Sequence, residues 1–358
     1  MKSILIILAS GSGLLFAGSP ERASLLVRQY DQAYLQWTAD VRNAKTNAEQ
    51  NAAWLRRPDE TEGGRKVWDE IRDSLDKSWA LEPAAWLLRE TSGYASSPPP
   101  GRVRGRPLPS PAAVIRESVR KHHLQSPKLA PYCVSLTYVE DPRAMGLLEL
   151  IEKVNPSDAV KGAAALGQAI LHRRLGDGKL FMTKRQEKLV TAIKAPVVTV
   201  GRTNTQAILQ DELFRMERLT IGSEAPNFMG VEVNLKKSSL SDYKGKVTIL
   251  FFWHALMPAH DESLAIFRKF QEEFQGKNIE VIGISMDNSL TLRDHIGKER
   301  VTWRNFSDPS QSISKLYRIE RWPTVYVLDQ NHKIRHKDKP GAFVRITALD
   351  LARQAGGE

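Results

Sequence analysis

The run His254-Ala-Leu-Met-Pro-Ala-His260 gathers two imidazoles and a thioether within seven residues of this 358-residue chain. His254, Met257 and His260 form a donor set soft enough for Cu(I). They do not supply thiol chemistry. Methionine has no ionisable proton, and histidine moves protons but forms no disulfide. The chain has one cysteine, Cys133. It therefore closes no internal disulfide, builds no four-cysteine zinc site and runs no two-cysteine redox centre. Cys133 is expected to be buried and inert. Phosphate-binding Gly-x-x-x-x-Gly-Lys-Ser/Thr loops, Gly-x-Ser-x-Gly elbows and His-Glu-x-x-His pairs are absent from the sequence. Asp261-Glu262 reads as an acidic pair at a helix start, favoured there by the helix dipole. His122-His123, His332 and His336 are assigned no role.

The elements that must position these residues fall into two grammars. From Glu21 to about Leu219 the apolar residues recur at helical spacing. Leu25, Leu26, Tyr30, Ala33, Tyr34, Trp37 and Val41 mark one face of a long helix. Further helices are expected over 111–124, 127–139, 141–154 and 157–175, each opening near a proline, serine or aspartate, and one more over 206–219. These read as antiparallel helix pairs, a small stack without a fixed repeat. From Ile221 onward strands and helices alternate. Lys246 to Trp253 is a strand apolar on both faces, Asp261 to Phe274 an amphipathic helix, and Ile279 to Ser285 a second buried strand. That is a βαβ unit with a right-handed crossover. Short helices around 290–296 and 310–317, a hairpin of 324–328 with 333–336, and a helix over 345–354 complete the half.

Lys2 and the apolar run Ile4 to Ala17 are too short to span a bilayer, which takes about 20 apolar residues. They read as an export signal over 1–18, placing the mature chain in the periplasm or cell envelope. Residues 19–95 are then a helical region, 96–111 a Pro/Arg-rich linker, 112–219 a helical domain and 220–358 the α/β domain. The linker, with Ser96-Ser97-Pro98-Pro99-Pro100-Gly101 and Arg102, Arg104 and Arg106, reads as extended and unpacked. Lys plus Arg exceed Asp plus Glu by 52 to 41, a net +11 that suits an anionic partner or surface. With export, nucleic acid is excluded as that partner.

Four segments of the second half resemble the exported thioredoxin-like thiol–disulfide oxidoreductases of the TlpA and redoxin type. They are Ile221-Gly-Ser-Glu-Ala-Pro-Asn-Phe228, Leu240-Ser-Asp-Tyr-Lys-Gly-Lys246, Phe251-Phe-Trp253, and Arg321-Trp-Pro-Thr-Val-Tyr-Val-Leu-Asp329. Gln125 to Cys133 is similar to the leader region fused to such domains in planctomycete-type proteins. The resemblance implies an all-α N-terminal domain followed by a thioredoxin-like domain, with a mixed central sheet and helices on both faces. It also implies a cis-proline at Pro323 and a redox motif opening the long helix. Here the sequence departs from the pattern: Met257 and His260 occupy the two cysteine positions, with Pro258-Ala259 between them. The thiolate that a helix N-terminus would stabilise is missing, and so is the resolving thiol. A fold can be inherited without its reaction. The expectation is therefore a domain with no catalytic residue and no cofactor. Its altered site, made of Trp253, Met257, His260, Trp322, Pro323 and Thr324, would bind a polypeptide or cell-envelope partner by β-type pairing. The alternatives are the oxidoreductase or antioxidant activity that the family implies, and Cu(I) binding through His254, Met257 and His260.

Overall fold

The computed structural model describes residues 18–44, 46–91, 102–103, 106–107, 109–255, 257, 260–298 and 301–356. The expected export segment lies outside them except for Gly18. Among the described residues no helix is long and apolar enough to cross a membrane. Two compact units divide the chain. One is built mainly from Glu49–Leu171 and Val190–Thr205 together with the N-terminal helix, the other mainly from His172–Leu189 and Gln206–Glu358.

The first unit is helical. Helix α1 (Pro20–Asn43) begins where the Ser19 side chain accepts from the Arg22 N–H and Pro20 presets the first turn. It is followed by α2 (Asn47–Trp54), α3 (Glu60–Ile71) and α4 (Leu81–Glu90). The aromatic spacing read from the sequence is core packing. Tyr30 meets Trp86 edge-on at 5.2 Å, and the Trp86 indole donates to Asp31 at 3.1 Å. Two short ladders interrupt the helices of this otherwise helical region. Strands β1 (Arg102–Val103) and β2 (Arg106–Pro107) pair within the segment expected to be extended linker. After α5 (Pro111–Ser118), α6 (Ala130–Ser135), α7 (Ala144–Val154), α8 (Asp158–Arg174) and α9 (Lys179–Ile193), the last of which lies in the second unit as far as Leu189, strands β3 (Thr199–Val200) and β4 (Thr203–Asn204) form a second ladder. Gly201 turns that ladder at φ +59°, and the Arg89 guanidinium occupies the space a Cβ would need. Two-residue strands carry too little alternation to register in the sequence. Cys133 on α6 is fully buried, and burial pushes its thiol up, far from the thiolate range.

The second unit holds α10 (Thr205–Arg218) and a hairpin of β5 (Met229–Val231) with β6 (Lys237–Ser239). Then come β7 (Val247–Trp253), α11 (His260–Phe274), β8 (Ile279–Ser285), α12 (Ser289–Gly297), β9 (Arg304–Ser307), α13 (Ser312–Leu316), β10 (Thr324–Leu328), β11 (Ile334–Asp338) and α14 (Ala342–Gly356). The five-stranded sheet runs β11-β10-β7-β8-β9. β7, β8 and β9 are parallel, and β10 lies antiparallel to both β7 and β11. Alternation along β7 assigns its side chains to two cores. Ile249, Phe251 and Trp253 pack with Leu264, Phe267 and Phe270 of α11 and Val344 and Ala348 of α14. Leu250 and Phe252 pack on the other face with Phe306, Tyr317 and Tyr326. Leu219 and Phe214 join this second core, so α10 is part of the α/β unit. Strand β9 escaped the sequence reading because Arg304-Asn305 gives it no apolar run.

Candidate functional site

The site forms where β7 ends and α11 begins, facing the turn that leads into β10. Trp253 closes β7 with no exposed surface, and its indole N–H donates to Asn305 Oδ1 at 3.1 Å. Asn305 is fixed in turn by donating to the Trp303 carbonyl at 2.7 Å. Three imidazoles gather nearby. The rings of His260 and His295 lie 5.9 and 5.8 Å from Trp253 and 5.2 Å from each other. His254 meets Trp322 edge-on at 5.3 Å. His260 Nδ1 faces Asp261 Oδ1 at 3.2 Å, while its Nε2 is buried without a partner among the described residues.

Asp287, at the carboxyl end of β8, anchors the loop that follows β7. Its Oδ2 accepts from the Ala255 N–H at 2.7 Å and the Ser285 hydroxyl at 2.9 Å. Burial raises its pKa against the lowering effect of those two bonds and of His260. Burial pushes His254 down to about 4, and the nearby His260 charge acts in the same direction. At neutral pH the pocket therefore presents an uncharged His254 against the Trp322 ring.

The loop from Arg318 into β10 is held from the opposite side by an ion network. Arg215 donates to the Arg318 carbonyl at 2.9 Å and pairs with Glu320 at 2.6 Å. Buried Glu212 pairs with Arg173 at 3.0 Å and with Arg185 and Arg215 at 3.8 Å each. Asp177 pairs with Lys337 at 2.7 Å and Arg185 at 3.5 Å. On the site side, the Trp322–Pro323 peptide is cis. The Thr324 hydroxyl donates to the Arg321 carbonyl at 2.6 Å. Strand pairing with β7 starts only at Thr324, opposite Phe252. Among the described residues neither the N–H nor the C=O of Trp322 has a hydrogen-bond partner.

Residues 221–337 match the AhpC/TSA family. The C-terminal domain is an AhpC/TSA-family redoxin. The redoxin domain is 26% identical over 136 residues to the thiol-disulfide oxidoreductase ResA of Bacillus thuringiensis (strain Al Hakam), spanning 38% of this chain and 76% of that protein. With ResA of Bacillus subtilis (strain 168) the identity is 23% over 119 residues, covering 33% of this chain and 66% of the relative. Among solved structures, the thioredoxin domain of a thiol-disulfide oxidoreductase from Bacteroides vulgatus superposes with a TM-score of 0.35 at 23% identity, covering 37% of this chain and 98% of that one. This redoxin domain has no CxxC pair, because the one cysteine of the chain is Cys133 in the helical unit. Insulin reduction by the purified protein is expected to match that of a Cys133→Ser variant. Turnover above that control would show a dithiol-independent route.

The residues expected at the site from sequence are placed unequally. Trp253 and Met257 are 0% and 4% exposed and belong to the core, so they are not contact surface as expected. Strand pairing and the aromatic stack on α11 pull them inward. His260, Trp322, Pro323 and Thr324 keep partial exposure. His254 and His260 pack on different tryptophans, Trp322 and Trp253, while Met257 sits in the core. Among the described residues no group of three His, Cys, Asp or Glu side chains could hold a metal ion. Sequence reasoning missed His295, Asn305 and Asp287. Only Asp287 left a signal, a carboxylate just past a buried parallel strand, where open α/β sheets place their sites.

Proposed function

We propose that this is an exported, redox-silent thioredoxin-fold protein whose redoxin domain binds extended polypeptide without turnover. The Trp322 backbone carries the reading. One donor and one acceptor stand unpaired among the described residues just before β10, beside a half-buried indole, which is the arrangement β-strand addition uses. His254 supports the indole edge-on and is uncharged at neutral pH, so an apolar client side chain meets no cation at that ring. His260 supplies a polar rim. The client is an unfolded or extended chain, recognised through its backbone and one apolar side chain rather than through a cysteine.

The test is capture of reduced, carboxymethylated ribonuclease A, a thiol-free unfolded chain. Trp322→Ala is expected to weaken capture roughly tenfold, the effect of losing an aromatic anchor worth about 1.4 kcal/mol. Equal capture by both proteins would reduce the site to packing.

A further inference from the structure

The β5–β6 hairpin carries an apolar, basic surface unrelated to the altered redox pocket. Its register pairs Val231 with Lys237 and Met229 with Ser239, so these side chains share one face of the ribbon. Gly230, Glu232 and Ser238 point the other way. A Cβ on Gly230 would strike the Phe306 ring, and buried Glu232 is held by Arg304 and Ser238. The outward face therefore exposes Met229 at 78% and Val231 at 43%, and the turn exposes Leu235 at 68%. Lys236, Lys237 and Arg293 flank them, all exposed, and Arg293 donates to the Val233 carbonyl. The one carboxylate within the hairpin, Glu232, is turned inward.

Leu235 adds an independent observation. Its φ is +69°, in the left-handed region that bulky side chains avoid and that glycine or asparagine fills in turns. The turn is closed by Leu235 N–H donating to the Glu232 carbonyl and by Glu232 N–H donating to the Lys236 carbonyl, both at 2.8 Å. Nothing in that bonding calls for a leucine, yet the strained position holds one and aims it at solvent. Backbone strain at an exposed apolar residue points to an external contact.

We propose that this hairpin tip is an insertion loop for an anionic lipid surface. Leu235, Met229 and Val231 enter the acyl boundary while Lys236, Lys237 and Arg293 meet the phosphate layer, a pairing of apolar burial and charge that interfacial anchors use. Three exposed apolar side chains form too small a patch for a stable protein interface, and the charge around them is mainly basic, Lys236, Lys237 and Arg293 against the exposed Asp242 carboxylate on the Ser239 N–H. The excess of basic residues over the whole chain acts in the same direction.

Buried Cys133 makes the test site-specific, because a cysteine introduced on the surface is the accessible thiol. The full chain with Leu235→Cys is labelled with the environment-sensitive dye NBD and mixed with vesicles of equimolar phosphatidylglycerol and phosphatidylcholine. Emission is expected to shift to the blue and to rise several-fold, while phosphatidylcholine vesicles give no change and the same label at Gln275→Cys stays silent. No response at position 235, or equal responses to the two lipids or at the two positions, would overturn the proposal. Leu235→Asn keeps the turn, so it should leave Tm unchanged or higher and lower the hairpin-dependent vesicle-bound fraction roughly tenfold, the loss from one buried leucine. A lowered Tm, or unchanged binding, would overturn the reading of Leu235 as a strained insertion residue.

Discussion

Glu212→Gln is expected to destabilise the α/β unit by about 3–5 kcal/mol, the range for removing one partner of a buried ion pair. The side chain of Glu212 is 4% exposed and faces three guanidiniums, those of Arg173, Arg185 and Arg215. Desolvation pulls Arg173 down, yet Glu212 and Glu320 more than offset it, so the cation is held mainly by its carboxylates. At Arg185 desolvation wins outright and its pKa falls. Glutamine keeps the volume but strands these charges, leaving Asp177 and the half-exposed Glu320 to neutralise them. Glu320→Gln is the control. Its side chain is 55% exposed, so its ion pairs are screened and the change is expected to cost no more than about 1 kcal/mol. Urea denaturation of the full chain, following the transition of the α/β unit, reads both. Equal midpoints for the two variants would show that the network is energetically idle. Because Arg215 also holds the Arg318 carbonyl, Glu212→Gln should loosen the loop before Trp322 and weaken client capture in parallel.

The second large effect is an acid sensitivity set by His254. Its native pKa is lowered from 6.5 to about 4, chiefly by burial and further by the charge of His260. A group whose native pKa is depressed stabilises the fold above its unfolded pKa and loses that contribution as pH falls through the native value. Stability should therefore decline between about pH 6.5 and pH 4, by about 3 kcal/mol from this residue at the usual 1.36 kcal/mol per pKa unit. Asp287 acts in the opposite direction. Its pKa is raised, so its contribution is complete below the unfolded value and fades as pH rises through the native one. His254→Gln removes the histidine component alone. Denaturation free energies at pH 7 and pH 4 should differ less in the variant than in the wild type by about that amount. Parallel losses in the two proteins would assign the acid sensitivity elsewhere.

The redoxin half was readable where burial is written as composition. β7 is seven buried residues in a row, and α11 carries its phenylalanines at helical spacing, so strand, crossover helix and second strand could be placed from the sequence. The exchange of both cysteine positions for Met257 and His260 was legible for the same reason, since residue identity alone decides thiol chemistry. What stayed hidden depends on long-range pairing. Glu212 looked like a solvated charge on an amphipathic helix, because Glu320, the acid that shares its arginines, lies more than 100 residues away. Strand β9 holds its place through Asn305 and Arg304 side-chain bonds instead of apolar alternation. Met257 and Trp253 were expected on the contact surface because a motif position shows neighbours along the chain but not depth.

The partition of α8, α9 and α10 decides where the α/β unit can be cut. The family match starts at Ile221, whereas the compact unit that contains it reaches back to His172. Ahead of the family match the unit takes in residues 172–189 and 206–220, and its Lys337 pairs with an aspartate from that stretch, Asp177. A piece cut at Ile221 would keep every family-matched residue and still leave behind the carboxylates that its own cations lean on, Asp177 for Lys337 and Asp211 for Arg318.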